Sequence, residues 1–565
     1  DMNVLMSTAT LGAMAIGKWE EGAVVMLLFA LSELLEQYSL RRSRNAIHSL
    51  MKLTPDTVQV VRGNETTQVN VHTVSPGERI IIRPGERIPL DGEVVSGSSN
   101  VNQAHITGES KPVAKRIGDS VFAGSTNEQG ALELLVTKRH NDTMLARIIR
   151  LVEEAQSSRA PIHSLVDRFA GIYTPVVFAV ACVIAIVPPL LFAGQGFFDW
   201  FYRALVLLVI ACPCALVLST PVTIMSGLAN AARHGVLIKG GKFLETLGSI
   251  KAVAFDKTGT LTKAQPHVTD IIPLNSLSEH EIIKLAALVE SRSEHHLAIA
   301  VQQHAKSKNL IPADAVLQSF ESLTGKGVKA TIDGNMYVVG SHALMEEMNI
   351  CSPEVELALE TLEEQGKSTI VVAREHEVLG VIAIADEIRP ESRDSIRRLH
   401  AAGVEKVIML TGDNRATAAV IAQQAGIDEV ESEILPHEKA SHVLALKERY
   451  GTIAMVGDGI NDAPALAAAT VGIAMGKAGT DVALEAADIA LMSDDLTRLP
   501  YVMKLSRQTV RIIKQNIVIA LATKAVVMVL SLFGAATLWM AIVADDGATL
   551  AVILNGLRML RFKQD

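Results

Sequence analysis

The sequence has few cysteines, few aromatic residues and no excess of positive charge. Its 565 residues include four cysteines and 4% aromatic residues, and the formal net charge is −9. Four cysteines are too few for a disulfide framework in a chain of this length. The negative charge, with no basic run against it, argues against a nucleic-acid partner.

A signal peptide and an initiator Met are also absent, since the chain starts at Asp1 inside an apolar stretch. We interpret this start as an N-terminal truncation of a longer protein.

Apolar residues make up 49% of the chain and are clustered into runs, which indicates membrane spans. Six spans in three pairs are predicted, over about 2–16, 22–36, Gly171–Gly194, Phe201–Ala229, Thr509–Phe533 and Ala535–Leu557. For the first pair alone, a buried hairpin of soluble helices stays open as an alternative.

Two soluble insertions separate the three pairs. Residues 52–150 contain short β-branched runs bounded by Gly, Pro and Asn, which predict a small β-rich domain. From about 236 to 500, short apolar strands such as Ala252–Phe255, Val407–Leu410 and Ile453–Val456 alternate with helical patterns. This alternation is typical of an α/β fold.

Polar residues follow three of these strands. Asp256 ends the first, Thr411 follows the second, and Asp458 follows the third. The carboxyl ends of parallel strands are where α/β folds bind ligands, and a carboxylate there can attack a phosphoryl group. Because carboxylate and phosphate repel, the reaction requires Mg²⁺, and Lys439 supplies a further positive charge.

These motifs together resemble those of the P-type ATPases. Asp256-Lys-Thr-Gly-Thr-Leu-Thr262, Thr411-Gly-Asp413 and Gly457-Asp-Gly-Ile-Asn-Asp462 are similar to that family's phosphorylation motifs. The resemblance extends over essentially the whole chain. It implies a helical membrane bundle, a β-rich actuator domain, a Rossmann-like (haloacid-dehalogenase-like) phosphorylation domain and an inserted α+β nucleotide-binding domain.

The expected domain boundaries follow the same order. They are 1–51 (helical hairpin), 52–157 (actuator), 158–235 (helix pair with Cys-Pro-Cys), 236–263 and 386–506 (phosphorylation), 264–385 (nucleotide binding) and 507–565 (last helix pair).

The resemblance also implies a role for each matching residue. Asp256 is the expected nucleophile, and Asp256, Asp458 and the carbonyl of Thr258 are expected to hold Mg²⁺. Thr411 and Lys439 contact phosphate in this reading, and Asn461 and Asp462 support the site. Lys257, Gly412 and Asp413 are further expected phosphate-site residues.

Two other segments resemble family motifs. Thr107-Gly-Glu109-Ser110 resembles the actuator loop whose carboxylate directs water to the phosphorylated aspartate. The segment from Glu290 through His295 and His296 resembles the Ser-x-His-Pro motif of heavy-metal pumps, which implies that His295 contacts the adenine with Glu290 nearby. Gly325-Lys-Gly327 resembles a glycine element beside the nucleotide. The Pro that follows the His in the family is His296 here, so the start of the next helix is expected to differ.

A metal site is predicted within the spans. Cys212 and Cys214 flank Pro213, which breaks a helix and lets both thiolates face one side. Thiolates select Cu(I), Zn²⁺, Cd²⁺ or Pb²⁺. Lys524 and Asp545 lie near the middle of the last two spans, where ionisable residues are usually functional.

Charge arithmetic favours a divalent ion. Two thiolates and one carboxylate carry three negative charges, and a divalent ion leaves one, which Lys524 balances. Lys524 with Asp545-Asp546-Gly547 resembles the zinc/cadmium/lead-exporting subgroup of heavy-metal (type IB) P-type ATPases. Asp546 remains the second choice as ligand, and Glu21 and Glu33 are candidate release-path carboxylates.

The resemblance implies an ATP-driven, Mg²⁺-dependent, monomeric pump in a bacterial plasma membrane, with its soluble domains in the cytoplasm. Three alternatives remain open: a Cu(I) exporter, a haloacid-dehalogenase-type phosphatase on a membrane anchor, and a metal sensor or gated channel with a vestigial ATPase.

Overall fold

The computed structural model describes residues 2–31, 33–34, 37, 55–63, 65–103, 112–147, 149–150, 161–191, 196–211, 214–263, 265–293, 295–310, 317–323, 326–458, 462–475, 485–493, 495–532 and 537–563.

Helices and strands follow each other in the order expected for alternating membrane and soluble parts. The helices are α1 (Met2–Ala15), α2 (19–31), α3 (Pro161–Leu191), α4 (Phe197–Ile210), α5 (Cys214–Arg233), α6 (Gly241–Leu247), α7 (Glu279–Val289), α8 (His296–Ser307), α9 (His342–Glu347), α10 (Pro353–Glu363), α11 (Ser392–Ala401), α12 (Arg415–Ala425), α13 (Lys439–Tyr450), α14 (Ala463–Ala468), α15 (Arg498–Leu532) and α16 (Leu538–Leu557). The strands are β1 (Thr57–Arg62), β2 (Glu65–Asn70), β3 (Arg79–Ile82), β4 (Gly92–Gly97), β5 (Ser99–Asn102), β6 (Val113–Lys115), β7 (Ser120–Val121), β8 (Thr126–Asn127), β9 (Leu132–Val136), β10 (Val236–Ile238), β11 (Ala252–Asp256), β12 (His267–Pro273), β13 (Ser319–Leu323), β14 (Gly327–Ile332), β15 (Asn335–Gly340), β16 (Ser368–Arg374), β17 (Glu377–Ala385), β18 (Lys406–Leu410), β19 (Glu429–Glu431), β20 (Ile453–Gly457), β21 (Val471–Met475) and β22 (Ile489–Leu491).

The first soluble insertion is built of two antiparallel sheets, ordered β2-β1-β3-β9-β4-β7 and β6-β5-β8. Alternate β-branched and Leu residues, among them Val60, Ile80 and Leu134, point into its core. The insertion meets the membrane part through Met144, which packs against Met225 of α5. After β9 the described residues 144–147 and 149–150 are helical.

The second insertion is centred on a seven-stranded sheet of order β10-β22-β21-β20-β11-β18-β19. Every pairing in it is parallel except that of β10 with β22. In β11, Val253 and Phe255 pack into one core cluster, whereas Ala252 and Ala254 pack into another. This alternation buries both faces of the sheet under helices, as parallel sheets require.

A separate antiparallel sheet, ordered β12-β17-β16-β15-β14-β13, is inserted between β11 and β18. Its two faces are covered by different helix pairs, α7 with α8 on one face and α9 with α10 on the other. The sheet therefore has its own core, separate from that of the parallel sheet.

Four helical segments of the described chain are long and apolar enough to cross a membrane. They are Gly171–Leu191, Phe197–Arg233, Arg498–Ser531 and Leu538–Arg561. Helix α1 has 14 residues, fewer than the roughly 20 that a span needs, so six spans remain a prediction.

Two helices connect the membrane part to the parallel sheet. Helix α15 has 35 residues, about 50 Å of continuous helix, and its first turns, with Leu499 and Val502, lie in the core beside that sheet. Helix α5 ends at Arg233, and β10 begins only three residues later at Val236.

Candidate functional site

The three polar strand ends meet at one edge of the parallel sheet. In the register of the ladder, Asp256 pairs with Leu410 and Phe255 pairs with Val456. Thr411 and Asp458 come next after those two strands, so they lie at the same edge as Asp256. The sequence predicted this convergence from strand ends that are far apart along the chain.

Lys439, at the start of α13, joins two of the carboxylates. Its Nζ lies 2.7 Å from Asp256 Oδ1 and 2.7 Å from Asp462 Oδ1. Burial, Asp462 and Asp458 together raise the pKa of Asp256 to about 7, although Lys439 opposes the shift. An added Cβ at Gly457 would lie 2.6 Å from Asp462 Oδ2, so this close approach requires glycine.

The loop after Asp256 is held by side chains of residues 386–389, which follow β17 where the chain returns from the inserted domain. Gly259 has φ +76°, a conformation that glycine adopts readily. Arg389 donates from Nε to the Thr262 carbonyl (3.1 Å) and from Nη2 to the Gly259 carbonyl (3.2 Å). The Thr262 hydroxyl donates to Asp386 Oδ2 (2.5 Å). These three hydrogen bonds hold the loop that directly follows Asp256.

A second ion pair lies beside the first. Lys257 Nζ lies 2.7 Å from Asp413 Oδ2, and the Lys257 side chain is 8% exposed. The Asp413 amide donates to the Thr411 hydroxyl at 3.1 Å. Lys257 and Asp413, both predicted phosphate-site residues, are therefore each other's partner in the free chain.

The carboxylates at this edge suit a Mg²⁺ ion. Asp462 Oδ2 is buried and has no hydrogen-bond partner among the described residues, and Asp256 and Asp458 add further negative charge. No three His, Cys, Asp or Glu side chains of the described chain form a metal cluster by themselves. Mg²⁺ typically binds one or two carboxylates and completes its shell with water and substrate phosphates, so these residues fit it.

Glu290 and His295 lie at the junction of α7 and α8 in the inserted domain. Glu290 is buried, its Oε2 has no hydrogen-bond partner among the described residues, and burial raises its pKa to about 7. His295 is the N-cap of α8, with Nδ1 accepting from the Leu297 amide at 3.4 Å. His296 therefore occupies the first helical position, where the family's Pro is favoured.

Gly327 has a structural requirement for glycine. Its φ is +147°, and an added Cβ would lie 2.4 Å from the Val339 carbonyl and 2.5 Å from Gly340 Cα. The close packing of β14 on β15 accounts for this glycine without a bound nucleotide.

The membrane part contains a buried ion pair. Lys524 Nζ lies 2.8 Å from Asp545 Oδ1, with the side chains 11% and 5% exposed. Lys524 also donates to the Ile210 carbonyl at 3.0 Å. Ile210 ends α4 and Cys214 begins α5, so the ion pair contacts the end of α4 only four residues before Cys214. Asp546, next to this pair, is half-buried.

A second polar contact joins α2, α4 and α16 near the start of α4. The Tyr202 hydroxyl donates to Glu21 Oε2 at 2.5 Å and accepts from the Leu538 amide at 3.2 Å. Lys18 lies 3.7 Å from the other Glu21 oxygen. Glu33, the other candidate release-path residue, is exposed.

Several predicted residues cannot be compared with the structure. Glu109, Cys212, Gly325 and Asn461 lie outside the described residues, and for Cys214 only the backbone is described. Sequence reasoning in turn missed Arg389, Asp386 and Tyr202. Nothing in the sequence distinguished these residues from ordinary polar ones, because their partners are more than 120 positions away.

Known proteins resemble this chain over its whole length. Residues 52–153 match the P-type ATPase actuator domain, and residues 250–470 match the haloacid dehalogenase-like hydrolases. A probable cadmium-transporting ATPase of Alkalihalophilus pseudofirmus is 49% identical over 100% of this chain and 78% of its own length. A zinc/cadmium/lead-transporting P-type ATPase of Shigella sonnei is 43% identical over 99% and 75%.

A solved structure agrees with these sequence relatives. The crystal structure of a zinc-transporting PIB-type ATPase in its E2.Pi state superposes with a TM-score of 0.61 and 42% identity, covering 99% of this chain and 90% of that one. The predicted fold class is confirmed. The chain is a member of the P-type ATPases and belongs to their heavy-metal, PIB-type branch.

Proposed function

We propose that the chain is an ATP-driven exporter of soft divalent metal ions, Zn²⁺, Cd²⁺ and Pb²⁺, through a phosphorylated Asp256. The relatives named above are described as transporters of cadmium, zinc or lead. The carrying observation in this chain is the Lys524–Asp545 ion pair, which contacts Ile210 at the end of α4, four residues before Cys214.

The ion pair suits a site in which Asp545 alternates between two partners, Lys524 and the metal ion. With no metal bound, Lys524 neutralises Asp545 in an environment where an unpaired charge is costly. A divalent ion on two thiolates and the Asp545 carboxylate releases Lys524 to balance the one remaining negative charge. Cu(I) needs no carboxylate, so a copper exporter leaves this buried pair unexplained.

The chemistry at the sheet edge is phosphoryl transfer. In the proposed reaction, an Asp256 carboxylate oxygen bonds to the γ-phosphorus of ATP, and the bond to the bridging oxygen breaks as ADP leaves. Lys439 offsets the charge on the transferring group, and Thr411 donates to its oxygens. Mg²⁺, when bound, screens the repulsion between phosphate and carboxylate.

Hydrolysis then returns the enzyme to its starting state. The Glu109 carboxylate accepts a proton from water as the water oxygen attacks the phosphoryl group, and the Asp256 carboxylate leaves. Inorganic phosphate is released.

Helices α5 and α15 provide the coupling between metal and phosphate. Lys524 lies on α15, whose first turns pack beside the parallel sheet that ends at Asp256. Helix α5 runs from Cys214 to within three residues of β10, an edge strand of the same sheet. Phosphorylation and metal binding therefore bias the same two helices, as reciprocal coupling requires.

The orientation of the chain in the membrane follows from the location of ATP, because the soluble insertions must lie on the side where ATP is found. We place both soluble insertions in the cytoplasm of a bacterial cell, with Arg41, Arg42 and Arg44 on the same side of the plasma membrane. The pump acts as a monomer in this proposal.

The test is ATP hydrolysis by the purified protein in lipid vesicles with Zn²⁺, Cd²⁺, Pb²⁺, Cu(I) or no metal. We expect stimulation by the divalent ions, lost in Asp545→Ala and retained in the neighbouring control Asp546→Ala. Stimulation by Cu(I) alone, indifferent to Asp545, would overturn the divalent assignment.

A further inference from the structure

An open cavity of about 860 Å³ lies beside α15, between the soluble and membrane parts. Three cations, Arg507, Arg511 and Lys514, line it together with the apolar side chains of Val510, Val518 and Ile519. The cations are four and three residues apart, so they follow one face of the helix. The cavity thus combines a basic side with an apolar side.

Among the described residues, the cations of this cavity are not paired with carboxylates. Arg507 donates to the Gly248, Ile250 and Gly403 carbonyls, and Arg511 donates to the Gln508 amide oxygen, all uncharged acceptors. Within the described part of the chain, neither they nor Lys514 form an ion pair, and no acidic residue lines the cavity. An anion entering the cavity therefore meets several uncompensated charges.

The exposed surface of α15 changes character within this cavity. Arg511 and Lys514 are exposed and charged, whereas from Val518 onward the exposed side chains are apolar, with Val518 64% and Leu521 47% exposed. Such a change over one turn marks the boundary between water and membrane. The cations lie on the water side of the cavity, and Val518 and Ile519 lie on the membrane side.

We propose that this cavity binds an anionic phospholipid, with the phosphate of its head group against Arg511 and Lys514 and its acyl chains along Val518 and Leu521. Basic pockets beside membrane helices at the cytoplasmic boundary favour anionic head groups by charge. A soluble phosphate would not contact the apolar wall of the cavity. The presence of this wall therefore favours a lipid over a soluble anion. Lys524 follows ten residues later on the same helix, so the bound lipid contacts an element of the metal site.

Binding is measured with the full chain in neutral detergent, titrated with phosphatidylglycerol or phosphatidylcholine, with the retained lipid quantified by native mass spectrometry. We expect phosphatidylglycerol to be preferred and the double variant Arg511→Gln/Lys514→Gln to bind it about 30-fold more weakly, from a factor of about five per charge. The charge-preserving variant Arg511→Lys/Lys514→Arg restores binding, which shows that the fold is intact.

The matched control removes two exposed cations beside a neighbouring small pocket, Lys504→Gln/Lys563→Gln. We expect it to bind phosphatidylglycerol as the wild type does. Equal losses in the two double variants, no loss in either, or no preference over phosphatidylcholine would overturn the proposal. Displacement of the lipid by millimolar inorganic phosphate would overturn it too, because the cavity would then bind a soluble anion.

Discussion

At the scale of single residues, Asp256 is held in an environment that favours its protonated form. It is buried, faces Asp462 and Asp458, and has one cation, Lys439, within contact. A carboxylate attacks phosphorus only when ionised, so a pKa raised to about 7 leaves the free site partly unreactive at neutral pH. A bound divalent cation reverses this, because its charge favours the ionised form.

Mg²⁺ binding to the free chain is therefore expected to release protons. Below its pKa the carboxyl carries a proton, and Mg²⁺ lowers that pKa, so release should be about half a proton per chain at pH 7 and should increase towards one proton as the pH falls further, for as long as the Mg²⁺-bound carboxyl stays ionised. It should fade as the pH rises above about 8, where Asp256 is already ionised. Isothermal titration in buffers of different ionisation enthalpy measures this. Asp256→Asn has no carboxyl to titrate, and equal release from that variant would show that the protons come from elsewhere.

The membrane ion pair yields a second residue-scale prediction. Asp545→Asn removes a proposed metal ligand, whereas Lys524→Met removes only the group that covers it. We expect Asp545→Asn to weaken Zn²⁺ binding by more than the roughly 10- to 100-fold typical of an outer-shell partner. Lys524→Met should weaken Zn²⁺ binding less than Asp545→Asn does, since all the proposed ligands remain and only the balancing charge is missing. Equilibrium dialysis measures both, and a loss of equal size in the two variants would assign the pair a structural role only.

At the scale of elements, the loop over 257–262 depends on residues that follow β17. Arg389 donates to two of its carbonyls, and the Ser392 hydroxyl donates to the Leu261 carbonyl. The loop is one irregular helical turn that closes on itself through the Thr262 amide and the Lys257 carbonyl, and these further contacts help to hold its shape. Arg389 is thus a positioning residue that acts on Asp256 through the loop.

Arg389→Ala should slow phosphoenzyme formation about 100-fold, because small displacements of reacting groups have costs of that size. Arg393, exposed one turn further along α11, provides the control, and Arg393→Ala should react at the wild-type rate. Rapid-quench measurement with radiolabelled ATP distinguishes the two. Equal rates in both variants would remove the positioning role.

Elements with strong local patterns were predictable from the sequence, whereas contacts between distant elements were not. The buried strands ending at Asp256, Leu410 and Gly457 are short apolar runs, and each predicted strand is observed to within a residue or two. That Lys524 donates to the Ile210 carbonyl, 314 positions away, depends on how helices pack, which periodicity does not specify. The same holds for Arg389 and for Tyr202 with Glu21.

At the scale of the whole molecule, the two candidate sites are joined by continuous helix. Helix α15 carries Lys524 and packs in the core beside the parallel sheet. Helix α5 begins at Cys214 and is followed by β10 of that sheet. A rigid helix transmits a shift over its length without intermediate contacts. In the proposed function, this architecture lets metal binding in the membrane bias the chemistry at Asp256.

The most direct test of this account is whether phosphorylation of Asp256 depends on the membrane metal site. The full chain in lipid vesicles is incubated with radiolabelled ATP and Mg²⁺, with and without Zn²⁺, and the acid-stable, hydroxylamine-sensitive label is counted. We expect label only with Zn²⁺, none in Asp256→Asn, and none in Asp545→Ala at any Zn²⁺ concentration that saturates the wild type. Label that forms equally with and without Zn²⁺, or that persists unchanged in Asp545→Ala, would contradict the coupling on which the account depends.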